Sequence, residues 1–258
     1  MSTILESTRV RVDIAQRATD VAELRSRARR ARAAAQPHAF RTALGDVEQV
    51  NIIAEFKKAS PSKGVIDDAA DPAKTARSYE TAGARAISVL TEPHYFHGSL
   101  NDLREVRRAV SLPILRKDFI VDEFQIYEAA EAGADAILLI ISALGVEELR
   151  RFRSLAEDEL GMDALIEVHT EDEMAIAASI DATLIGVNNR DLRSLDVSLD
   201  VSRKLVRLAP ASALLVSESG ITRREEIIEL RDLGYSAFLI GETLMRRAGS
   251  IARAEVLL

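Results

Sequence analysis

Of the 34 basic residues in this chain only six are lysine: Lys57, Lys58, Lys63, Lys74, Lys117 and Lys204. A chain that covers its surface with arginine keeps lysine where a compact, titratable ammonium is needed and a planar, permanently charged guanidinium will not serve. Three of the six fall in Lys57-Lys58-Ala59-Ser60-Pro61-Ser62-Lys63-Gly64, and Lys117 ends the run Leu115-Arg116-Lys117. Carboxylates end other apolar runs in the same way: Glu55 after Ile53-Ala54, Glu167 after Leu165-Ile166, and Glu218 after Val216-Ser217. Residues two apart on an extended strand share a face. Glu55 therefore lies with Lys57, Leu115 with Lys117, Leu165 with Glu167 and Val216 with Glu218. If those faces converge, Glu55, Glu167 and Glu218 meet Lys57, Lys117 and the Arg190 of Val187-Asn188-Asn189-Arg190. Such a cage can give a proton to one part of a reacting molecule and take one from another. Structural ion pairs are the alternative, but burying six charges is a poor route to stability and does not demand lysine over arginine. The chain has no cysteine, which removes thiolate nucleophiles, Cys-ligated zinc and disulfides.

The elements that would carry these residues repeat evenly. Short apolar runs occupy 51–55, 86–90, 113–117, 136–140, 164–168, 183–187, 213–217 and 237–240. Each is nearly continuous, as strands buried on both faces of a parallel sheet should be. Amphipathic helical stretches lie between them. Asp71-Pro72 is a capping residue before a first-turn proline, and Ser99 with Asp102, Thr170 with Glu173 and Thr222 with Glu225 are spaced as capping boxes or their close variants. Strand–helix alternation eight times over, in 258 residues, predicts a (β/α)8 TIM barrel. An open doubly wound sheet would need a glycine-rich dinucleotide turn after its first strand, where this chain has Lys57-Lys58-Ala59-Ser60-Pro61.

The first strand starts late, so residues 1–47 are expected to form a helical extension to a barrel spanning 48–258, within one domain, 1–258. Arg25, Arg27, Arg29, Arg30 and Arg32 in that extension are expected to form a solvated helix face. A nucleic-acid arm fits less well, because acidic residues interrupt the cluster, no aromatics interleave it, and the net charge is −7. The apolar run at 136–141 is far short of the roughly 20 residues that span a bilayer. The chain does not open with the basic-then-apolar order of a secretory signal, so the cytoplasm is the expected location.

Barrel active sites lie at the C-terminal ends of the strands, and turns after strands seven and eight commonly cradle a phosphate. Here those turns are Ser217-Glu218-Ser219-Gly220-Ile221 and Gly241-Glu242-Thr243, with the Ser60–Lys63 loop as a third source of anion donors. Glu242 is expected to turn its carboxylate outward and only its N–H inward. His94, His97 and His169 raise a metal site, but no coherent carboxylate set joins them, so they are expected at the pocket rim or surface.

At this point the motifs match a known family. Ile53-Ala54-Glu55-Phe56-Lys57-Lys58-Ala59-Ser60-Pro61-Ser62-Lys63-Gly64, Leu115-Arg116-Lys117-Asp118-Phe119, Glu167-Val168-His169, Gly186-Val187-Asn188-Asn189-Arg190-Asp191-Leu192 and Ser217-Glu218-Ser219-Gly220-Ile221 resemble indole-3-glycerol-phosphate synthase. The resemblance runs from the N-terminal extension to Met245. It implies a carboxy-lyase of tryptophan biosynthesis that closes the indole ring of 1-(2-carboxyphenylamino)-1-deoxyribulose 5-phosphate with loss of CO2 and water. It implies Lys117 as the acid on the keto oxygen, Glu167 as the base in dehydration, and Lys57 paired with the substrate carboxylate, with the division of acid duty between the two lysines left open. Glu55, Asn188, Arg190, Glu218 and Ser219 would orient these groups and the sugar hydroxyls. Ser60 or its loop, Lys57, Gly220, Gly241 and Glu242 would hold the phosphate, and Pro61, Phe96, Phe119, Leu138 and Leu195 would line the aryl pocket. The extension would fold over the barrel mouth. The resemblance implies no metal, no cofactor, no nucleic acid and no membrane, and leaves association with other tryptophan-pathway enzymes open. Two other readings remain. A phosphoribosylanthranilate isomerase is expected to use a cysteine base, which is absent, and a silent phosphate-binding barrel would not need both Lys117 and Glu167.

Overall fold

The computed structural model describes residues 2–46, 48–192 and 194–245; Met1, Val47, Arg193 and 246–258 of the expected domain lie outside the described residues. Eight parallel strands close a barrel in chain order: β1 (Asn51–Phe56), β2 (Ala86–Leu90), β3 (Ile114–Lys117), β4 (Ala136–Ile140), β5 (Asp163–Val168), β6 (Leu184–Asn188), β7 (Leu214–Glu218) and β8 (Ala237–Ile240). Strand β1 pairs with β8 on one side, Asn51 beside Ala237, and with β2 on the other, Ile53 beside Ala86. All eight expected runs are strands, each within a residue of its expected ends.

Helices α1 (Ser2–Ala18), α2 (Val21–Ala33) and α3 (Ala39–Leu44) precede the barrel. The strands are then followed in turn by α4 (Pro72–Thr81), α5 (Leu100–Ala109), α6 (Glu123–Ala132), α7 (Val146–Ser154), α8 (Glu171–Ser179), α9 (Asp200–Leu205), α10 (Arg224–Leu233) and α11 (Glu242–Met245). Asp71, Ser99 and Thr170 cap their helices as their spacing predicts, each accepting a backbone N–H three residues on. The fourth expected box is displaced by one residue. Helix α10 begins at Arg224, so Glu226 rather than Glu225 reaches back to the N–H groups of Thr222 and Arg223.

Side-chain alternation splits the strand residues into two shells. Ile53, Ala86, Leu115, Ala136, Leu165, Leu184, Val216 and Ala237 fill the barrel interior, whereas Ile52, Ala54, Ile114, Ile166 and Ile185 pack outward with the helical layer. Phe40 and Leu44 of α3 join the interior cluster with no exposed surface. They adjoin its N-terminal end, where Arg41 N–H and His38 Nδ1 reach Asp163 at the start of β5.

The extension thus serves both ends of the barrel. Helix α2 packs along α6, and α1 reaches the opposite end, with Arg11 on Asp118 at 3.0 Å and Gln16 on Asp122 at 2.7 Å. The arginine cluster departs from expectation at one position. Arg32 is buried and donates to the carbonyls of Leu160, Ala134 and Gly161 and to Asp135 Oδ1 at 3.0 to 3.1 Å. Helix α2 turns that side chain under the N-terminal ends of β4 and β5, whose preceding carbonyls need donors. The other four arginines sit in exposed ion pairs. Among the described residues no helix is long and apolar enough to cross a membrane.

Candidate active site

Two residues beyond the interior apolar positions, the same parity reaches Glu55 on β1, Lys117 on β3, Glu167 on β5 and Glu218 on β7. Barrel interiors are built from layers of four side chains contributed by alternate strands. These four are such a layer, the uppermost, with charge in place of aliphatic bulk. Lys117 Nζ lies 3.2 Å from Glu218 Oε2, 3.7 Å from Glu167 Oε2 and 4.0 Å from Glu55 Oε2. Lys57, one turn of the pleat further on, donates to Glu55 Oε1 at 2.6 Å.

The intervening strands make room for this layer with glycine. A Cβ on Gly186 of β6 would fall on Glu218 Oε1, and one on Gly241, just after β8, would fall on Glu55 Oε1. Gly241 is therefore needed for the carboxylate layer as well as for any anion.

Each charge is tuned by its neighbours. Burial favours neutral Lys117, but the carboxylates of Glu218, Glu167 and Glu55 outweigh it and hold the ammonium well above its ordinary range. Burial raises Glu167, but Lys117, His169 and Asn188 reverse this and bring it down to about 2. Glu55 is likewise raised by burial and brought below the ordinary value by Lys57 and Lys117. Glu218 goes the other way, up to about 7, because burial and the neighbouring Glu167 outweigh Lys117. Its oxygens make no hydrogen bond among the described residues, leaving the ion pair with Lys117 as their contact. Lys117 thus favours the ionised form of Glu167 most strongly, while Glu218 is the carboxylate of the layer pushed toward its protonated form.

Above the layer opens a cavity of about 1330 Å³. It is lined by Glu55, Lys57, Ser60, Pro61, Phe96, Lys117, Phe119, Leu138, Glu167, Asn188, Arg190, Leu195, Ser219, Gly220, Gly241 and Glu242, which is every expected site residue except Glu218, buried beneath. One wall is apolar: the rings of Phe96 and Phe119 stand 6.4 Å apart, tilted by 42°, and Leu138, Leu195 and Pro61 line the same cavity. The polar rim combines the Ser60–Lys63 loop with the turns after β7 and β8. Ser219 and Gly220 are both left-handed, at φ +63° and +87°, and a Cβ on Gly220 would strike Val197.

Three expectations are corrected by the structure. Arg190 lines the cavity but does not join the carboxylate layer; it donates to the Leu195 carbonyl at 3.0 Å and stands 4.0 Å from Glu242. The Glu242 carboxylate points toward the mouth rather than outward, drawn by Lys63 at 3.7 Å and Arg190. Of the histidines, His97 is exposed, on Asp68 at 2.7 Å, whereas His169, expected at the rim or surface, is largely buried because its ring packs between Glu167 and Glu173.

Several supporting residues were not singled out from the sequence. Glu92 accepts the N–H groups of His94, Tyr95 and Phe96 at 2.6 to 3.2 Å, folding the loop that presents Phe96. Fully buried Arg116 ties Thr91, Gln125 and Asp118 together, and Asp118 also receives Arg11, so the end of β3 that carries Lys117 is braced from behind. Asn189 bonds Ser217, the Glu218 and Ser219 carbonyls and Ser202 N–H, fixing β6 to β7 while Asn188 faces the cavity. Thr3 and Ile4 of α1 also reach the cavity lining. A sequence signal existed for Glu92 and Asp118, which are acids just past strand ends.

A closed (β/α)8 barrel whose top inner layer is one lysine among three carboxylates, under a cavity with one apolar wall and a polar rim, is a barrel enzyme built for acid–base chemistry. The indole-3-glycerol phosphate synthase family model matches residues 1–256. Indole-3-glycerol phosphate synthase of Carboxydothermus hydrogenoformans is 52% identical over 211 residues, 81% of this chain and 80% of that one. Its counterpart in Desulfotalea psychrophila is 49% identical over 212 residues, covering 82% and 81%. This chain belongs to the indole-3-glycerol phosphate synthase family, as its motifs indicate. Among solved structures, the N-acetylmannosamine-6-phosphate 2-epimerase of Clostridium perfringens shares the fold alone, with a TM-score of 0.61 at 18% identity over 83% of this chain and 94% of that one.

Proposed function

We propose that the carboxy-lyase chemistry of this family is carried out here on 1-(2-carboxyphenylamino)-1-deoxyribulose 5-phosphate by the charged layer as a unit. The observation that carries the reading is Lys117, held fully protonated at the centre of three carboxylates on the cavity floor. The aryl ring lies against Phe96, Phe119, Leu138, Leu195 and Pro61. The phosphate rests on the Ser60–Lys63 loop, Arg190 and the backbone of Ser219, Gly220, Gly241 and Glu242. Asn188 and Ser219 orient the sugar hydroxyls. Lys57, held by Glu55, meets the aryl carboxylate. The first turn of α1, anchored through Arg11 to Asp118, covers the aryl side of the mouth.

Lys117 protonates the keto oxygen as the carboxyl-bearing ring carbon attacks the former carbonyl carbon. CO2 then leaves that ring carbon and aromaticity returns. The new hydroxyl departs as water on taking a second proton from an ammonium of the cluster, while Glu167 removes a methylene proton to complete the indole. One proton is consumed net, matching the carboxylate lost as CO2.

The charges explain why a carboxylate near pKa 2 can act as a base. Once Lys117 has given up its proton, its attraction for Glu167 is gone and the carboxylate's basicity rises. The acid step thereby primes the base step. Substituting Lys117→Ala should cut turnover ~10²–10⁴-fold, the usual contribution of a general acid, while a non-reactive phosphate-bearing analogue still binds to protein shown folded by circular dichroism. Undiminished turnover would remove Lys117 from the acid role.

A further inference from the structure

His169 follows Glu167 by two positions, where β5 gives way to α8. Its ring stands between two carboxylates: Nδ1 hydrogen-bonds Glu173 Oε2 at 3.2 Å, and Nε2, which makes no hydrogen bond among the described residues, lies 3.4 Å from Glu167 Oε1 as an ion pair. The same Glu173 oxygen accepts the His169 backbone N–H at 2.6 Å, and Thr170 Oγ1 accepts the Glu173 N–H at 3.2 Å. The capping box that starts α8 is therefore built around a carboxylate that also orients an imidazole, and the imidazole touches Glu167. The row Glu173–His169–Glu167 continues to Lys117, 3.7 Å further on. A helix cap alone would not require an aromatic cation at this position.

The ring lies between two carboxylates. Burial disfavours its charge, but Glu167 and Glu173 outweigh burial and raise it to about 10, so it stays a cation throughout the neutral range. Its value lies in constancy. The charged groups facing Glu167 are Lys117 from β3, Glu55 from β1, Glu218 from β7 and His169 itself; those facing His169 are Glu167 and Glu173. Of the two cations on Glu167, Lys117 is the one that loses its proton in the proposed reaction. At that moment His169 is the cation that remains.

We propose that His169, oriented by the capping carboxylate of Glu173, is a positioning residue that holds Glu167 ionised and in its reactive rotamer while Lys117 loses and regains its proton. The proposal rests on Glu167 being the base of the reaction.

The test is steady-state kinetics from pH 3 to 8 on the full chain carrying His169→Gln, Glu173→Gln, both together, or Glu167→Gln. His169→Gln should lower kcat by ~10- to 10²-fold, the scale of a misplaced catalytic group, and leave KM within about threefold. Its acid limb of kcat should move up by ~1 pH unit, since a cation within about 4–6 Å depresses a carboxylate by 1–3 units. Glu173→Gln keeps an acceptor for the His169 backbone N–H, so the fold is retained, and should shift kcat and the limb in the same direction by less. The double variant should be no worse than His169→Gln, because Glu173 acts through the ring. A change in KM with kcat and the acid limb unmoved, or losses that add in the double variant, would overturn the proposal. Full turnover in Glu167→Gln would instead show that the reading beneath it was wrong.

Discussion

Replacing Lys117 by methionine, which keeps the stem and removes the charge, should make the stability of the barrel depend on pH in an inverted way. Lys117 meets three carboxylates at 3.2, 3.7 and 4.0 Å, worth about 4–5 kcal/mol each in direct attraction at an effective dielectric of ~20. That sum is not the cost of the substitution, because the molecule has a cheaper response: it binds a proton. Glu218 already titrates at about 7, so its proton costs little at neutrality. The next must go on Glu167, and protonating a carboxyl of ordinary pKa 4.5 costs ~1.4 kcal/mol per pH unit above that value. The loss is therefore ~5 kcal/mol at pH 8, ~3 at pH 7 and below ~1 at pH 5, in the range expected for breaking a buried pair. The sign follows from linkage. Without Lys117 the folded-state pKa of Glu167 rises above its unfolded value, so the folded form binds more protons and stability falls as pH rises through the folded pKa. Urea unfolding followed by circular dichroism at pH 5, 6, 7 and 8 reads this directly. A destabilisation equal at all four pH values would refute the premise that these carboxylates depend on one ammonium.

Other consequences follow from the same geometry. Gly186→Ala would place a methyl on the Glu218 carboxylate and against Leu165; it should cost ~1–3 kcal/mol by overpacking and lower kcat as Glu218 is pushed off Lys117, seen in paired melting and rate measurements. A variant as stable and active as the parent would show that the layer does not need that space. Glu242→Gln removes a carboxylate that stands between Lys63 and Arg190 in the proposed phosphate site. KM for the phosphorylated substrate should fall ~2–5-fold, the scale of a half-exposed charge pair, and a raised KM would mean the carboxylate assists binding.

The strands were legible because parallel barrel strands are buried on both faces and so read as continuous apolar runs, and because a period of two carries the parity from Leu115 to Lys117 or Val216 to Glu218 without knowledge of the fold. That these residues form one layer was not legible: it depends on the stagger between strands, which brings β1, β3, β5 and β7 to one height. The role of Gly186 was hidden for the same reason, since its neighbour Glu218 is 32 positions away in the chain. Arg32 reads as one more arginine in a charged run, and only the path of α2 beneath β4 and β5 buries it. Glu242 was expected outward from the preference of a first-turn carboxylate, and the cations across the mouth draw it in. His169 has a lone histidine's ambiguity until Glu173 and Glu167 are seen to grip it from both sides.

The central claim, that the charged layer closes an indole ring, is tested most directly by fluorescence. The chain contains no tryptophan, so an indole product appears against little protein background at its own wavelengths. Adding 1-(2-carboxyphenylamino)-1-deoxyribulose 5-phosphate to the purified chain should give a saturable rise in indole emission. No rise, while the same compound still protects the protein against thermal unfolding, would contradict the account and leave a barrel that binds the phosphate without performing the reaction.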